Sequence, residues 1–172
     1  MHHSWIIHIA KYLHVGSFSV AFGAQFWHYF LASPHIRSIL SVGKLGELQR
    51  GLFDRLYILS TVSGLISICT YFQINCDRDR TELFLLFLNL FCNATSMTYI
   101  SPNVSQLSLR RNNIKDTYAT TPDPDRYLVD SKYIAFNRSF MWMHRAGIAV
   151  SMISIATQAT YLGFLTKRHS LH

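Results

Sequence analysis

Residues 56–74 read LYILSTVSGLISICTYFQI, from Leu56 to Ile74, and contain no Asp, Glu, Lys or Arg. Asp54 and Arg55 bound the run on one side and the stretch Asn75-Cys-Asp-Arg-Asp-Arg80 on the other. A helix needs roughly 20 such residues to cross a hydrocarbon core about 30 Å thick. A helix of a soluble bundle would turn a charged face to water, and this run has none to turn. Three more windows repeat the pattern: Tyr12–Leu31, Leu83–Ile100 and Ala146–Leu165. The spacing predicts an all-α fold, an integral membrane four-helix bundle with short interfacial helices in the loops. The chain reads as a single transmembrane domain over residues 1–172, with spans at 12–31, 56–74, 83–100 and 146–165.

Composition agrees with this reading. Apolar residues make up 49% of the chain and charged ones only 15%, below the roughly 25% of a soluble domain. The net charge of +7 could suggest nucleic acid, but the basic residues lie in the loops, where membrane topology accounts for them. With four spans, Lys11, Arg78, Arg80, Lys167 and Arg168 share one side. The other side receives Arg37, Lys44, Arg50 and Arg55 from the first loop, then Arg110, Arg111, Lys115, Arg126, Lys132, Arg138 and Arg145. That is 11 against 5, so the large loops are expected to face the cytoplasm or the mitochondrial matrix, with both termini opposite. The first apolar stretch is too long for a cleavable signal and lacks a small-residue cleavage site. Cys69, Cys76 and Cys92 form no CxxC pair, and those within spans read as inert buried thiols.

The connections carry local signals. Pro34 and Pro102 are expected to end the first and third spans. Ile36, Ile39, Leu40, Leu48 and Leu52 recur at helical spacing among Lys and Arg, the pattern of a short interfacial helix. Residues 75–80 read as a tight hairpin, with Thr81 as N-cap of the third span and Glu82 in its first turn. Val104–Lys115 reads as an amphipathic extension and Thr117–Asp125 as a true loop. Tyr127–Phe140 is expected to be helical and to feed into the fourth span.

Each span also has a polar or small-residue stripe at offsets of three and four, which share a helix face. The stripes are His14, Ser17, Ala21, Gln25 and His28; Ser60, Ser63, Ser67 and Thr70; Asn89, Asn93 and Ser96; Gly147, Ser151, Ser154 and Gln158. In lipid such faces turn inward and hydrogen-bond across helices, so packing is the expected role. A cofactor site is the sharper alternative. At 1.5 Å per residue His14 and His28 stand about 21 Å apart and cannot share a metal. Only His28 and His144 fall at one depth, where two imidazoles could hold a haem iron or join a copper site. No HExxH, GxSxG, P-loop or GxGxxG occurs, so neither catalytic residues nor an enzymatic activity are predicted.

The residues Lys11-Tyr-Leu-His14, Ser17, Gly23, Gln25 and Trp27 resemble the first span of the transmembrane protein 205-like family. Glu82–Leu88 through Pro102 is similar to that family's third helix, and Pro122-Asp-Pro124, Lys132-Tyr133, Phe140 and His144 follow in order. The resemblance implies a four-span protein linked to drug resistance and the secretory route, with no established enzyme reaction, and permits a small secretory-pathway membrane transport or trafficking protein as an alternative. The chain departs from the family at Thr98-Tyr-Ile-Ser-Pro-Asn103, where an Arg and a Glu-Pro-Arg run are usual. Arg145 also stands where the family has glycine, and His28 where it has an apolar residue. A scaffold that keeps its spans and loses those charges reads as an accessory subunit of a larger membrane complex, contacting other membrane subunits and lipids as a hetero-oligomer. The expected location is the mitochondrial inner membrane, within a respiratory-chain assembly and with termini in the intermembrane space. The secretory pathway or plasma membrane is the alternative.

Overall fold

The computed structural model describes residues 2–40, 42–74 and 79–169, and every regular element among them is helical. Helix α1 (His2–Phe26) passes through a π-helical turn (Trp27–Ala32) into α2 (Ser33–Ile39). Helix α3 runs over Val42–Ile74. Helix α4 (Arg80–Thr95) passes through a second π-helical turn (Ser96–Ile100) into α5 (Ser101–Ala119). A 3₁₀ turn (Pro124–Val129) leads to α6 (Ser131–His169).

The two π-turns correct the expectation that Pro34 and Pro102 end their helices. Each proline sits in the first turn of the helix that continues, right after the widened turn. A proline inside a regular α-helix clashes with the carbonyl four residues back and leaves it without a donor. Here the backbone N–H of Ser33 donates to the His28 carbonyl and that of Ser101 to the Ser96 carbonyl, both five residues back. The extra residue opens the turn, and the helix survives the proline.

Other boundaries also move. Ile36 and Ile39 lie on the short α2, and Leu40 is extended. Leu48 and Leu52 belong to α3, which starts at Val42 and continues unbroken to the end of the second span. The cap of α4 is Asp79 rather than Thr81: its carboxylate accepts the Thr81 N–H at 2.8 Å, and Glu82 follows in the first turn. The rest of the expected hairpin, including Cys76, lies outside the described residues. The helix expected over residues 127–140 breaks at Asp130, which caps α6 by accepting the backbone N–H groups of Lys132 at 2.7 Å and Tyr133 at 3.4 Å. The Tyr118 hydroxyl donates to the same carboxylate at 3.0 Å and ties the loop shut. Cys92 is buried as expected, but Cys69 faces outward.

Helix α1 packs along α3, α3 meets α4, α4 lies against α6, and α6 closes the ring on α1. Helices α5 and α6 continue together as a hairpin beyond the four-helix section. Three stretches are long and apolar enough to cross a membrane: Gly51–Ile74, Arg80–Ala119 and Ser131–Lys167. Helix α1 and the π-turn after it carry His14, Gln25 and His28, which are 4%, 1% and 3% exposed. Tyr12 and Val20 on the outer face of α1, and Trp27 and Leu31 in the π-turn, are all exposed. The same inversion holds for α4, whose Phe84, Phe87 and Phe91 point outward while Asn89 and Asn93 point in. Polar inside and apolar outside is the arrangement lipid favours, because only the interior offers partners for polar groups.

One apolar cluster anchors the end of the bundle near the chain termini, with Phe18, Ile68, Tyr71, Leu86 and Tyr161 buried together. At the opposite end α6 comes so close to the second π-turn that a Cβ on Gly147 would stand 3.0 Å from Ile100 Cγ2. Only glycine permits that approach without the isoleucine giving way.

Candidate functional site

The polar stripes meet inside the bundle in three layers. The first is centred on His14. Its Nδ1 lies 3.0 Å from the Ser67 carbonyl and 2.9 Å from Thr70 Oγ1, while Nε2 lies 2.7 Å from the Tyr161 hydroxyl. A carbonyl oxygen can only accept, so Nδ1 carries the proton and Nε2 accepts from Tyr161. Thr70 gives its own hydrogen to the carbonyls of Ile66 and Ser67, at 2.8 and 3.1 Å, leaving its oxygen open to Nδ1–H. Ser17 adds a contact to Ser67 Oγ at 3.0 Å. This layer joins α1, α3 and α6.

The second layer joins α1, α4 and α6. Gln25 Nε2 donates to Asn93 Oδ1 at 2.8 Å, and Asn93 Nδ2 donates to Asn89 Oδ1 at 3.0 Å and Ser154 Oγ at 3.1 Å. Asn89 Oδ1 is the hub. It also accepts from Ser154 Oγ at 2.7 Å and Gln158 Nε2 at 2.8 Å. Ser154 has a second acceptor within reach, Gln25 Oε1 at 3.1 Å. All five side chains are buried.

The third layer is a hydroxyl triangle. Tyr29 donates to Ser151 Oγ at 2.6 Å, which leaves Tyr57 to donate to Tyr29 at 2.9 Å; Tyr57 also lies 3.2 Å from Ser151. Tyr161, Tyr29 and Tyr57 are the members that reading the sequence missed. Tyrosine counts as apolar in a charge-free window, and only the partner geometry reveals its hydroxyl at work.

Below the triangle, at the end rich in Arg and Lys, a cavity of about 530 Å³ opens among α3, α5, α6 and the two π-turns. Arg37, Arg111, His144 and Arg145 line it, together with Tyr29, Ser108, Phe53, Ile100 and Phe140. His144 lies parallel to Phe140, with ring centroids 5.7 Å apart, and the Arg111 guanidinium lies over the Phe140 ring, 4.4 Å from its centroid. Arg111 also reaches Asn137 Oδ1 at 3.4 Å. Asp54, at the same end, accepts a short hydrogen bond from Ser101.

The two histidines of the expected pair have different surroundings. His144 is on the cavity wall, whereas His28 is buried with its ring edge-on to Phe53, centroids 4.7 Å apart, and its Nε2 3.4 Å from Ser33 Oγ. Among the described residues no ring contact or hydrogen bond joins them, and no group of three or more His, Cys, Asp or Glu is placed to hold a metal. His14, set aside for its distance from His28, turns out to be the best-connected histidine of the bundle.

Fold and site together define an all-helical integral membrane bundle, sewn by internal polar layers and open to a basic cavity at one end. The chain belongs to the family described as a domain of unknown function, DUF4149, whose match covers residues 16–113. That segment begins two residues after His14, holds the rest of α1, all of α2, α3 and α4 and most of α5, and stops short of α6. No curated protein and no solved structure matches the chain.

Proposed function

We propose that the chain is a non-catalytic accessory subunit of a larger membrane protein complex. The observation that carries this reading is how the inner polar groups are used. His14, Gln25, Asn89, Asn93 and Ser154 spend their hydrogen bonds on one another and on Tyr161, Thr70 and Gln158, so the layers act as fastenings. The outer face of α4, with Phe84 61% and Phe91 68% exposed, supplies a broad aromatic surface for a neighbouring subunit. Solubilisation in a mild detergent tests the idea. The chain should elute with unlike partners at a mass well above its own 19.8 kDa. Elution alone, or only with copies of itself, overturns it.

The proposal extends to place. The bias of basic residues toward the first and third loops supports an orientation with both termini away from the cytoplasm or matrix. We assign the chain to the mitochondrial inner membrane, in a respiratory-chain assembly. The resemblance to the transmembrane protein 205-like family supports the secretory membranes instead. Protease protection of a tag at either terminus, in isolated mitochondria with a ruptured outer membrane, separates the two: cleavage there supports the inner-membrane location, and absence of the chain from mitochondria sinks it.

A haem or copper site on His28 and His144 is the competing reading, favoured by the position of His144 on the cavity. A Soret band in the purified protein that disappears in His144→Ala would replace the accessory-subunit proposal with this one.

A further inference from the structure

The cavity at the basic end is unlike the three layers above it. Arg37 comes from α2, Arg111 from α5 and Arg145 from α6, yet all three reach one space. Gathering like charges costs free energy, more so beside apolar walls, unless an anion is there to offset it. No carboxylate lines the cavity among the residues whose side chains are described, and Asp54 nearby is already bonded to Ser101. Among the residues whose side chains are described, a set that leaves out 41–47, 49 and 50, Arg37 and Arg145 have no hydrogen-bond or ion-pair partner. Arg111 is held in place by the Phe140 face and Asn137, which fixes the guanidinium before anything binds.

The remaining wall sets Ser101, Ser105 and Ser108 beside a larger apolar part. Val104 and Met141 line it outside the charge-free windows, and Ile100 and Ile148 line it within them. The depth is equally specific. Arg37 follows the charge-free window of the first span, and Arg145 stands directly before that of the fourth. Arg37 and Arg145 therefore lie at headgroup level with Ile100 and Ile148 just beneath them, while Arg111, eleven residues past Ile100, reaches in from further out. Both π-turns also contribute, Tyr29 from one and Ile100 from the other, and such turns are frequent at functional sites.

We propose that this cavity binds the phosphate headgroup of an anionic phospholipid, with Arg37, Arg111 and Arg145 around the phosphate and an acyl chain along the Ile100–Ile148 wall. Phosphate is the shared chemistry with a soluble phosphate anion. The apolar wall and the depth select the lipid, since a free anion has no use for either. Generic interfacial arginines also attract anionic lipid, but they do so along exposed side chains and without a defined stoichiometry.

Native mass spectrometry of the full chain, released from nanodiscs of mixed phosphatidylglycerol and phosphatidylcholine, tests the proposal. The expected result is one retained phosphatidylglycerol per chain, with phosphatidylcholine lost. The variant Arg37→Gln/Arg111→Gln/Arg145→Gln should retain it at least about tenfold less well, since each charge-assisted contact is worth on the order of a factor of ten. The control Arg126→Gln/Lys132→Gln/Arg138→Gln removes the same charge from exposed positions and should retain lipid as the parent does. Because the first variant could misfold, Arg111→Lys provides a second reading: its charge stays, its planar fork is lost, and retention should fall by several-fold with helicity unchanged. Equal retention of both lipids, equal loss in the two triple variants, or displacement of the lipid by millimolar inorganic phosphate would each overturn the proposal.

Discussion

Replacing Asn89 by leucine removes the hub of the second polar layer, and the structure sets the size of the effect. Two interhelical hydrogen bonds end on Asn89 Oδ1, from Ser154 at 2.7 Å and Gln158 at 2.8 Å. Interhelical bonds in membrane bundles average about 0.6 kcal/mol and reach about 1.7. Ser154 recovers part of its loss, because Gln25 Oε1 lies 3.1 Å away as a second acceptor. Gln158 has no such recourse. Its Oε1 has no hydrogen-bond partner among the described residues, and its Nε2 would lose the only one it has. An amide left unpaired in a buried site costs about 1–3 kcal/mol. Asn89→Leu should therefore destabilise the bundle by about 2–4 kcal/mol, most of it from the orphaned Gln158. Gln158→Leu alone should cost about 1–2 kcal/mol, since it leaves Asn89 bonded to Ser154 and Asn93. The double variant should be less damaging than the sum by about 1–2 kcal/mol, because no orphan remains. Reversible unfolding by steric trapping in bicelles, run as a double-mutant cycle, measures all three. Additive costs within about 0.5 kcal/mol would show that Asn89 and Gln158 are not coupled, and the layer would then not be the fastening described.

Four further outcomes follow from particular contacts. Nitrogen-15 NMR of the His14 ring should show a neutral imidazole protonated on Nδ1, and Tyr161→Phe should cost about 1 kcal/mol in the same unfolding assay; an Nε2-protonated ring would contradict the assigned donor. Gly147→Val should destabilise the bundle by about 1–3 kcal/mol, because its Cβ meets Ile100 at 3.0 Å; a neutral effect would mean that α6 can step away from the π-turn. The backbone amides of Lys132, then the Tyr118 hydroxyl, hold the Asp130 carboxyl below its ordinary value of 3.8. Its contribution is thus complete above that value and drains away as pH falls through the lower folded value, so Asp130→Asn should flatten the acid limb of stability, and an unchanged limb would place the acid sensitivity elsewhere. Finally, a maleimide reagent confined to detergent micelles should modify Cys69 well before Cys92, since only the former faces outward; equal rates would contradict the packing of α3.

Much of the fold is legible in residue order because lipid imposes a coarse rule. Charges cannot sit in the windows at 12–31, 56–74, 83–100 and 146–165, so their absence marks helices. The stripes are legible for a related reason: Asn89 and Asn93 share a face at four-residue spacing, whatever partner that face meets. Which partners meet is another matter, since the layers join residues 14 with 161 and 89 with 154, and nothing local specifies those pairings. The prolines mislead because a π-turn has no compositional mark. Pro34 and Pro102 look like terminators until the backbone shows that the turn before each has gained a residue. The cavity is hidden more deeply, for its three arginines lie in three separate loops or helix ends and read singly as topology signals.

The length of α6 has a mechanical consequence. Its 39 residues extend about 58 Å, close to twice the thickness of the hydrocarbon core. The portion before residue 146 projects about 22 Å on the basic side, braced along its length by α5. The hairpin tip, with its loop latched by Asp130 and Tyr118, is carried by a stiff mast rooted in the membrane. A load or a ligand at that tip is carried down the paired helices to the seam where Gly147 meets Ile100, in the wall of the cavity at the mast's base.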